Sequence, residues 1–432
     1  MSVTRLEHAT LLPMTPGSSP ITDGTLQWTD STLTYVGPDS TAPAEPADEV
    51  IDGSGCVALP GLINSHTHLA MTLFRGFADD MPLKPWLEEK IWPTEAKLVA
   101  EDVYWGTRLG VLELLRGGCT CFNDMYHYYP EATQAAVDGG IRACPSGVLL
   151  GFLRDDGDVV AKAVDFARAI RAEHGATVHP MLGPHAPYTC PKELLQAVAQ
   201  AAGENDLPVH IHVAETQHEV QESLAATGAT PIQYLERIGL LECRTVAAHC
   251  VWLDDRDIDL VVERQVGVAH CPASNMKLAS GFARAPELLA AGAVVGLGTD
   301  GAASNNKLDL FNEMYLAATV HKVRGGDPTL VKAGDALTMA TRNGARALAI
   351  DDLVGTLEAG KRADLCLVDL SSPRLQPVHN VASHMVYAAE ASDVRMTVVN
   401  GRIVMRDGQF PGQDACEVYE QCRERARRLC GN

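Results

Sequence analysis

Basic residues are in short supply: 35 Lys and Arg stand against 55 Asp and Glu, a formal net charge of −20. Duplex binding needs a clustered basic surface, so nucleic acid is not an expected partner. No stretch reaches the roughly 18–20 uninterrupted apolar residues of a membrane span. Residues 1–13 lack the basic segment and apolar run of a secretory signal. No G-x-G-x-x-G follows an early strand, which counts against a doubly wound dinucleotide fold. Internal repeats and low-complexity segments are also missing. Cysteine is present, 12 in all, but scattered without a signal peptide. Reduced thiols and a cytoplasmic location are therefore expected. Cys119 and Cys121 form a C-x-C pair with no second thiol pair, and read as small buried residues.

What is present is a large globular chain. Its 432 residues are 46% hydrophobic and 21% charged, enough for one big barrel with appendages or two to three domains. Short β segments are expected at 25–28 and 32–36, and again at 364–369, 396–399 and 402–405, the last two joined by the Asn400-Gly401 turn signal. Between these ends, apolar runs at 56–62, 119–123, 143–149, 178–182, 209–213, 245–249, 267–270 and 294–298 read as strands. Residues 96–116, 159–174, 192–205, 254–264 and 308–323 carry apolar positions three and four apart, the helical spacing. Eight strands alternating with helices predict an α/β fold, a closed (β/α)₈ barrel of the TIM type, with a doubly wound open sheet as the alternative.

Chemistry in such barrels sits where the strands end. Four apolar runs end in residues able to hold a metal. His66 and His68 lie two apart, so a strand end presents both imidazoles to one ion. His212 closes the run 209–213; His210 lies one step deeper on the same face and reads as packed or supporting. Glu215 reaches the site if the strand stops near Val213. His249 ends a third run and Asp300 a fourth. Any one of these has a structural explanation, a satisfied core histidine or a helix-capping aspartate, but four strand ends together favour a metal centre. Three imidazoles and a carboxylate with an open position suit Zn²⁺, with Fe²⁺ or another transition metal compatible. Run 178–182 carries no lysine to bridge a second ion, so one metal per subunit is expected.

These runs resemble the amidohydrolase superfamily, and within it the 5-methylthioadenosine/S-adenosylhomocysteine deaminases, with triazine and ammeline hydrolases as relatives. The matching text is PGLINSHTH at 60–68, MTLFRG at 71–76, GPHAPY at 183–188, HVAET at 212–216, AHC at 248–250, CPASNMKLASG at 271–281, GTDGAASNN at 298–306 and VGTLEAGKRADL at 354–365. The resemblance implies that His66, His68, His212 and Asp300 hold the metal, with Glu215 and His249 beside an activated water. It also implies a barrel domain over 58–356 and a small composite β-sandwich domain built from both termini, 1–57 and 357–432.

That ligand set implies hydrolytic deamination. Glu215 passes a proton from water to a ring nitrogen, Asp300 orients the water, and His249 steadies the oxyanion. The expected substrates are 5′-modified adenosines: 5′-methylthioadenosine, S-adenosylhomocysteine, adenosine or 5′-deoxyadenosine. Alternatives are another heterocycle, such as a guanine-like base or a triazine, and a barrel kept as a non-enzymatic module. Family analogy puts Glu95 near the ribose hydroxyls; otherwise it stabilises the first turn of a helix opening at Ala96. His185 follows a strand-ending Gly-Pro and either bonds substrate or is structural. Trp86 lines the pocket or is core. Arg154 lies where relatives carry a substrate-facing arginine, in a loop whose text departs from theirs. A symmetric homo-oligomer, dimer or tetramer, is expected by analogy with other enzymes.

Overall fold

The computed structural model describes residues 2–151 and 158–431. Eight parallel strands close a barrel: Leu62–Thr67, Cys119–Tyr126, Arg142–Leu149, Met181–Pro184, Val209–Val213, Thr245–His249, Gly267–His270 and Val294–Leu297. The last pairs with the first through Leu297 and Asn64. Every strand is buried almost throughout, because helices cover the outer face and side chains fill the inner one. Ile63, Cys121, Cys144, Met181, Val246 and Ala269 fill the barrel with Leu348, Ile350 and Val354 beneath them. The outer shell includes helices Ala100–Arg116, Val159–His174, Lys192–Asn205, Asp255–Glu263 and Leu310–Gly325.

Both termini contribute to a second, eight-stranded sheet. Its order runs Arg402–Arg406, Val394–Val399, Leu365–Asp369, Cys56–Pro60, Val3–Leu11, Ile21–Thr29, Thr32–Pro38, with Glu49–Asp52 also alongside Val3–Leu11. It wraps its own core of Leu6, Leu26, Trp28, Leu365, Leu367 and Met396. The apolar run 56–62, expected as the first barrel strand, divides between the two sheets. Cys56–Pro60 pairs with Leu365–Asp369, and the barrel strand starts at Leu62. The chain crosses at Gly61, where Thr120 leaves no room: a Cβ would lie 2.1 Å from its Oγ1.

Two other expectations change. The helix expected from Ala96 starts at Ala100, and Glu95 instead ends a separate short turn, Trp92–Glu95. Residues 415–430, given no element of their own in the expected composite β domain, form a helix, Ala415–Cys430. Its Val418, Cys422 and Leu429 join the apolar cluster of Phe74, Val103 and Leu112, and the helix packs on Ala100–Arg116 and on the turn Leu69–Phe74. Among the described residues, no helix is long and apolar enough to cross a membrane.

Candidate functional site

The C-terminal ends of the barrel strands bring His66, His68, His212, His249, Glu215 and Asp300 together. Asp300 Oδ1 lies 3.4 Å from His66 Nε2 and 3.3 Å from His68 Nε2. The Nε2 atoms of His68 and His212 are 3.2 Å apart. Gly298 permits the approach of the last strand, since a Cβ there would stand 2.9 Å from His66 O. Ala214, His249 and Asp300 all have left-handed backbones, φ 52°, 70° and 59°. Non-glycine residues hold that conformation only where the surroundings enforce it, commonly at functional sites.

Hydrogen bonding fixes which ring nitrogens are free. His68 Nδ1 faces Met125 O at 2.6 Å, and His212 Nδ1 faces His185 O at 2.7 Å. A carbonyl only accepts, so each Nδ1 carries the hydrogen and each neutral ring keeps a lone pair on Nε2. His66 is set at longer range. The Ser146 hydroxyl donates to Asp124 O at 2.7 Å, so its oxygen accepts from His210 Nδ1 at 3.1 Å. His210 Nε2 then accepts from His66 Nδ1 at 2.8 Å. His66 Nε2 is left buried with no hydrogen-bond partner. Burial and the neighbouring rings pull His66 down to about 4 and hold His212 well below its ordinary value.

Asp300 completes the arrangement. The hydroxyl of Ser274 donates to its Oδ2 at 2.6 Å and Ser304 Oγ lies 2.8 Å away, which turns Oδ1 towards the histidines. Despite burial, His66, His68 and His249 hold this carboxyl well below the usual carboxylate range. Ring nitrogens of His66, His68 and His212 and an anionic carboxylate oxygen thus cluster at the strand ends. The donor set fits a divalent ion.

Distance alone does not exclude His249, because ligand atoms of His66, His212 and His249 also lie within 4.8 Å of one another. Its hydrogen bonding differs, however. Nδ1 is 2.9 Å from Asn275 Oδ1, and Nε2 is 3.9 Å from Glu215 Oε2. Burial opposes charge on this ring, but Glu215 and Asp300 outweigh it and raise its pKa, favouring a ring with hydrogen on both nitrogens. Glu215 receives a 3.3 Å hydrogen bond from Ser280, and burial pushes its carboxyl above the ordinary value against the pull of His249. His270 also ends a strand, but meets His321 at 3.1 Å instead of joining the centre.

A cleft opens from this centre, lined by apolar side chains such as Met71, Leu83 and Leu87 as well as by polar ones. Trp86, Glu95 and His185 all line it. Tyr126 donates to Glu95 Oε1 at 2.7 Å, and His185 Nδ1 is 2.9 Å from Thr189 Oγ1. Burial, with nearby histidines, lowers His185 to about 3, so it faces the cleft uncharged. Arg154 lies outside the described residues. Sequence reasoning passed over Ser146, Ser274, Asn275 and Ser280, which bear no metal-like signature; the last three follow the strand Gly267–His270, and that position was the available signal.

Fold and site define a parallel barrel with a metal-competent centre at its strand ends. A model of the amidohydrolase family matches residues 57–404, and the chain belongs to this family. A 5-methylthioadenosine/S-adenosylhomocysteine deaminase of Moorella thermoacetica is 46% identical, covering 97% of this chain and 98% of its own. A 5′-deoxyadenosine deaminase of Methanothermobacter thermautotrophicus is 47% identical over 89% of this chain and 90% of its own. A zinc-bound adenosine deaminase from Xanthomonas campestris superposes with a TM-score of 0.96 at 35% identity, covering 99% of each chain.

Proposed function

We propose that this chain hydrolytically deaminates 5′-modified adenosines, 5′-methylthioadenosine, S-adenosylhomocysteine or 5′-deoxyadenosine, to the inosine analogue and ammonia. The observation that carries the reading is the clustering of His66, His68, His212 and Asp300, with His66 and His68 Nε2 against Asp300 Oδ1, His212 Nε2 3.2 Å from His68 Nε2, and Glu215 and His249 alongside. These four residues would hold one divalent ion, Zn²⁺ by their nitrogen-rich set, which supplies Lewis-acid activation of water.

Glu215 takes a proton from the attacking water and delivers it to the ring nitrogen beside C6, making that carbon electrophilic. Burial suits the task, since it raises the carboxyl above its ordinary value and so makes it a better proton acceptor. The His249 Nε2 hydrogen, favoured by the flanking carboxylates, meets the attacking oxygen as charge develops on it. The ring nitrogen keeps the proton that Glu215 delivered; the remaining hydroxyl proton passes to the amino group, and ammonia leaves as the C6–N bond breaks and C6=O forms.

Glu95 points to a nucleoside and away from a free base or triazine. Tyr126 engages one of its oxygens, which leaves the other for vicinal hydroxyls. In Glu95→Ala, kcat/KM for nucleosides should fall about 10–100-fold, the worth of one or two hydrogen bonds to a charged group. Activity towards free adenine should hold; an equal loss on both would remove Glu95 from ribose recognition. The principal test is ultraviolet absorbance of metal-analysed protein with methylthioadenosine, S-adenosylhomocysteine, 5′-deoxyadenosine, adenosine, guanine and a chlorotriazine. Silence on every adenosine with turnover of another ring would overturn the substrate assignment.

A further inference from the structure

The geometry points to Glu219 as a positioning residue for this reaction: its carboxylate clamps the amides of Ala214 and Glu215 and so sets where the Glu215 side chain stands. The inference rests on Glu215 being the proton carrier.

Thr216 and Glu219 stand at the spacing of a helix capping box. Half of that device is present, for Thr216 Oγ1 accepts from Glu219 N at 3.1 Å at the start of helix Gln217–Thr227. In the ordinary box the glutamate returns to the amide of the capping residue itself. Here it reaches past Thr216. One oxygen accepts from Ala214 N and the other from Glu215 N, each at 2.8 Å. Helix capping requires neither bond, and both fall on the turn that swings Glu215 back to the centre.

That turn needs holding. Ala214 sits at φ 52°, where a residue with a Cβ is strained. Its carbonyl accepts from Val251 N and Trp252 N, both at 3.0 Å, so the segment following His249 hangs on the same residue. Glu219 is buried, which makes each of its two bonds costly to lose. A carboxylate is required because both positions must accept: glutamine of the same shape offers one acceptor and turns a donor onto an N–H.

Metal-loaded E219Q is therefore the informative variant. Misplacing a reacting group by an ångström costs about 10²-fold in rate. We expect a kcat loss of that order, with KM for methylthioadenosine within about threefold and metal per chain unchanged. Amide hydrogen exchange of a peptide spanning 213–217 should quicken, in metal-free protein as well as loaded. E215Q/E219Q should be no slower than E215Q, because the placement of a group that no longer carries a proton is immaterial. Adding A214G to E219Q should recover part of the rate, since glycine holds the left-handed turn without strain. Glu219→Asp keeps two acceptors on a shorter stem and should show the same pattern at smaller amplitude; it serves should E219Q not fold. Unchanged kcat, multiplicative losses in the double variant, or a loss that tracks metal content would overturn the assignment. Near-normal E215Q would instead remove the proton-carrier reading on which it rests.

Discussion

Glu215→Gln lowers kcat by about 10³–10⁴-fold while the protein keeps its metal, at the upper end of what one general acid–base residue contributes. The substitution is nearly isosteric, and the amide oxygen can still receive the 3.3 Å bond from Ser280. It does not alter the proposed metal donors, His66, His68, His212 and Asp300. What it removes is the ability to take a proton from water and give it up again, because an amide is not basic near neutrality. Burial that raises the wild-type carboxyl makes it the better proton acceptor. The check pairs metal analysis with single-turnover rates on methylthioadenosine. A metal-replete variant within tenfold of wild type would transfer the proton role elsewhere, with His249 the next group to test.

The histidine–aspartate cluster was legible because its residues announce themselves. His66 and His68 repeat at the strand period, and runs 209–213, 245–249 and 267–270 coincide with observed strands. Parallel strands buried on both faces leave unbroken apolar text, so their ends stand out. The supporting groups were hidden for the opposite reason. Ser146 lies within a strand, and only three-dimensional contact shows that it sets the tautomer of His66 through His210. Glu219 stands at the spacing of a local helix signal, which does not disclose its longer reach. Cys56–Pro60 reads the same in sequence whether it joins a barrel or a flanking sheet, because an apolar run does not name its partner. In helix Ala415–Cys430, Val418, Cys422 and Leu429 are the few buried apolar positions amid charged side chains, too sparse a stripe to mark a helix.

At the barrel's opposite end, Asp364→Ala should cost about 3–5 kcal/mol, the usual penalty for stranding one member of a buried ion pair. Arg142 starts the third barrel strand and is wholly buried; Asp364 precedes Leu365–Asp369 of the composite sheet and is nearly so. They meet side-on, Nε to Oδ2 at 2.9 Å and Nη2 to Oδ1 at 3.0 Å. Asp364 Oδ1 also accepts from Asn400 N at 2.8 Å, so the same carboxylate ties down the Asn400-Gly401 turn. Removing it leaves a guanidinium in the interior with only Ala176 O and His179 for company. Set against the 5–15 kcal/mol typical of a folded protein, that loss is large. It should appear as a lower urea midpoint, with kcat of the folded fraction unchanged because the site lies at the other end of the strands. Replacing both partners, Arg142→Met with Asp364→Leu, should recover much of the stability, since an apolar pair of similar size strands no charge. If the single variant unfolds at the wild-type midpoint, this ion pair does not hold the two sheets together.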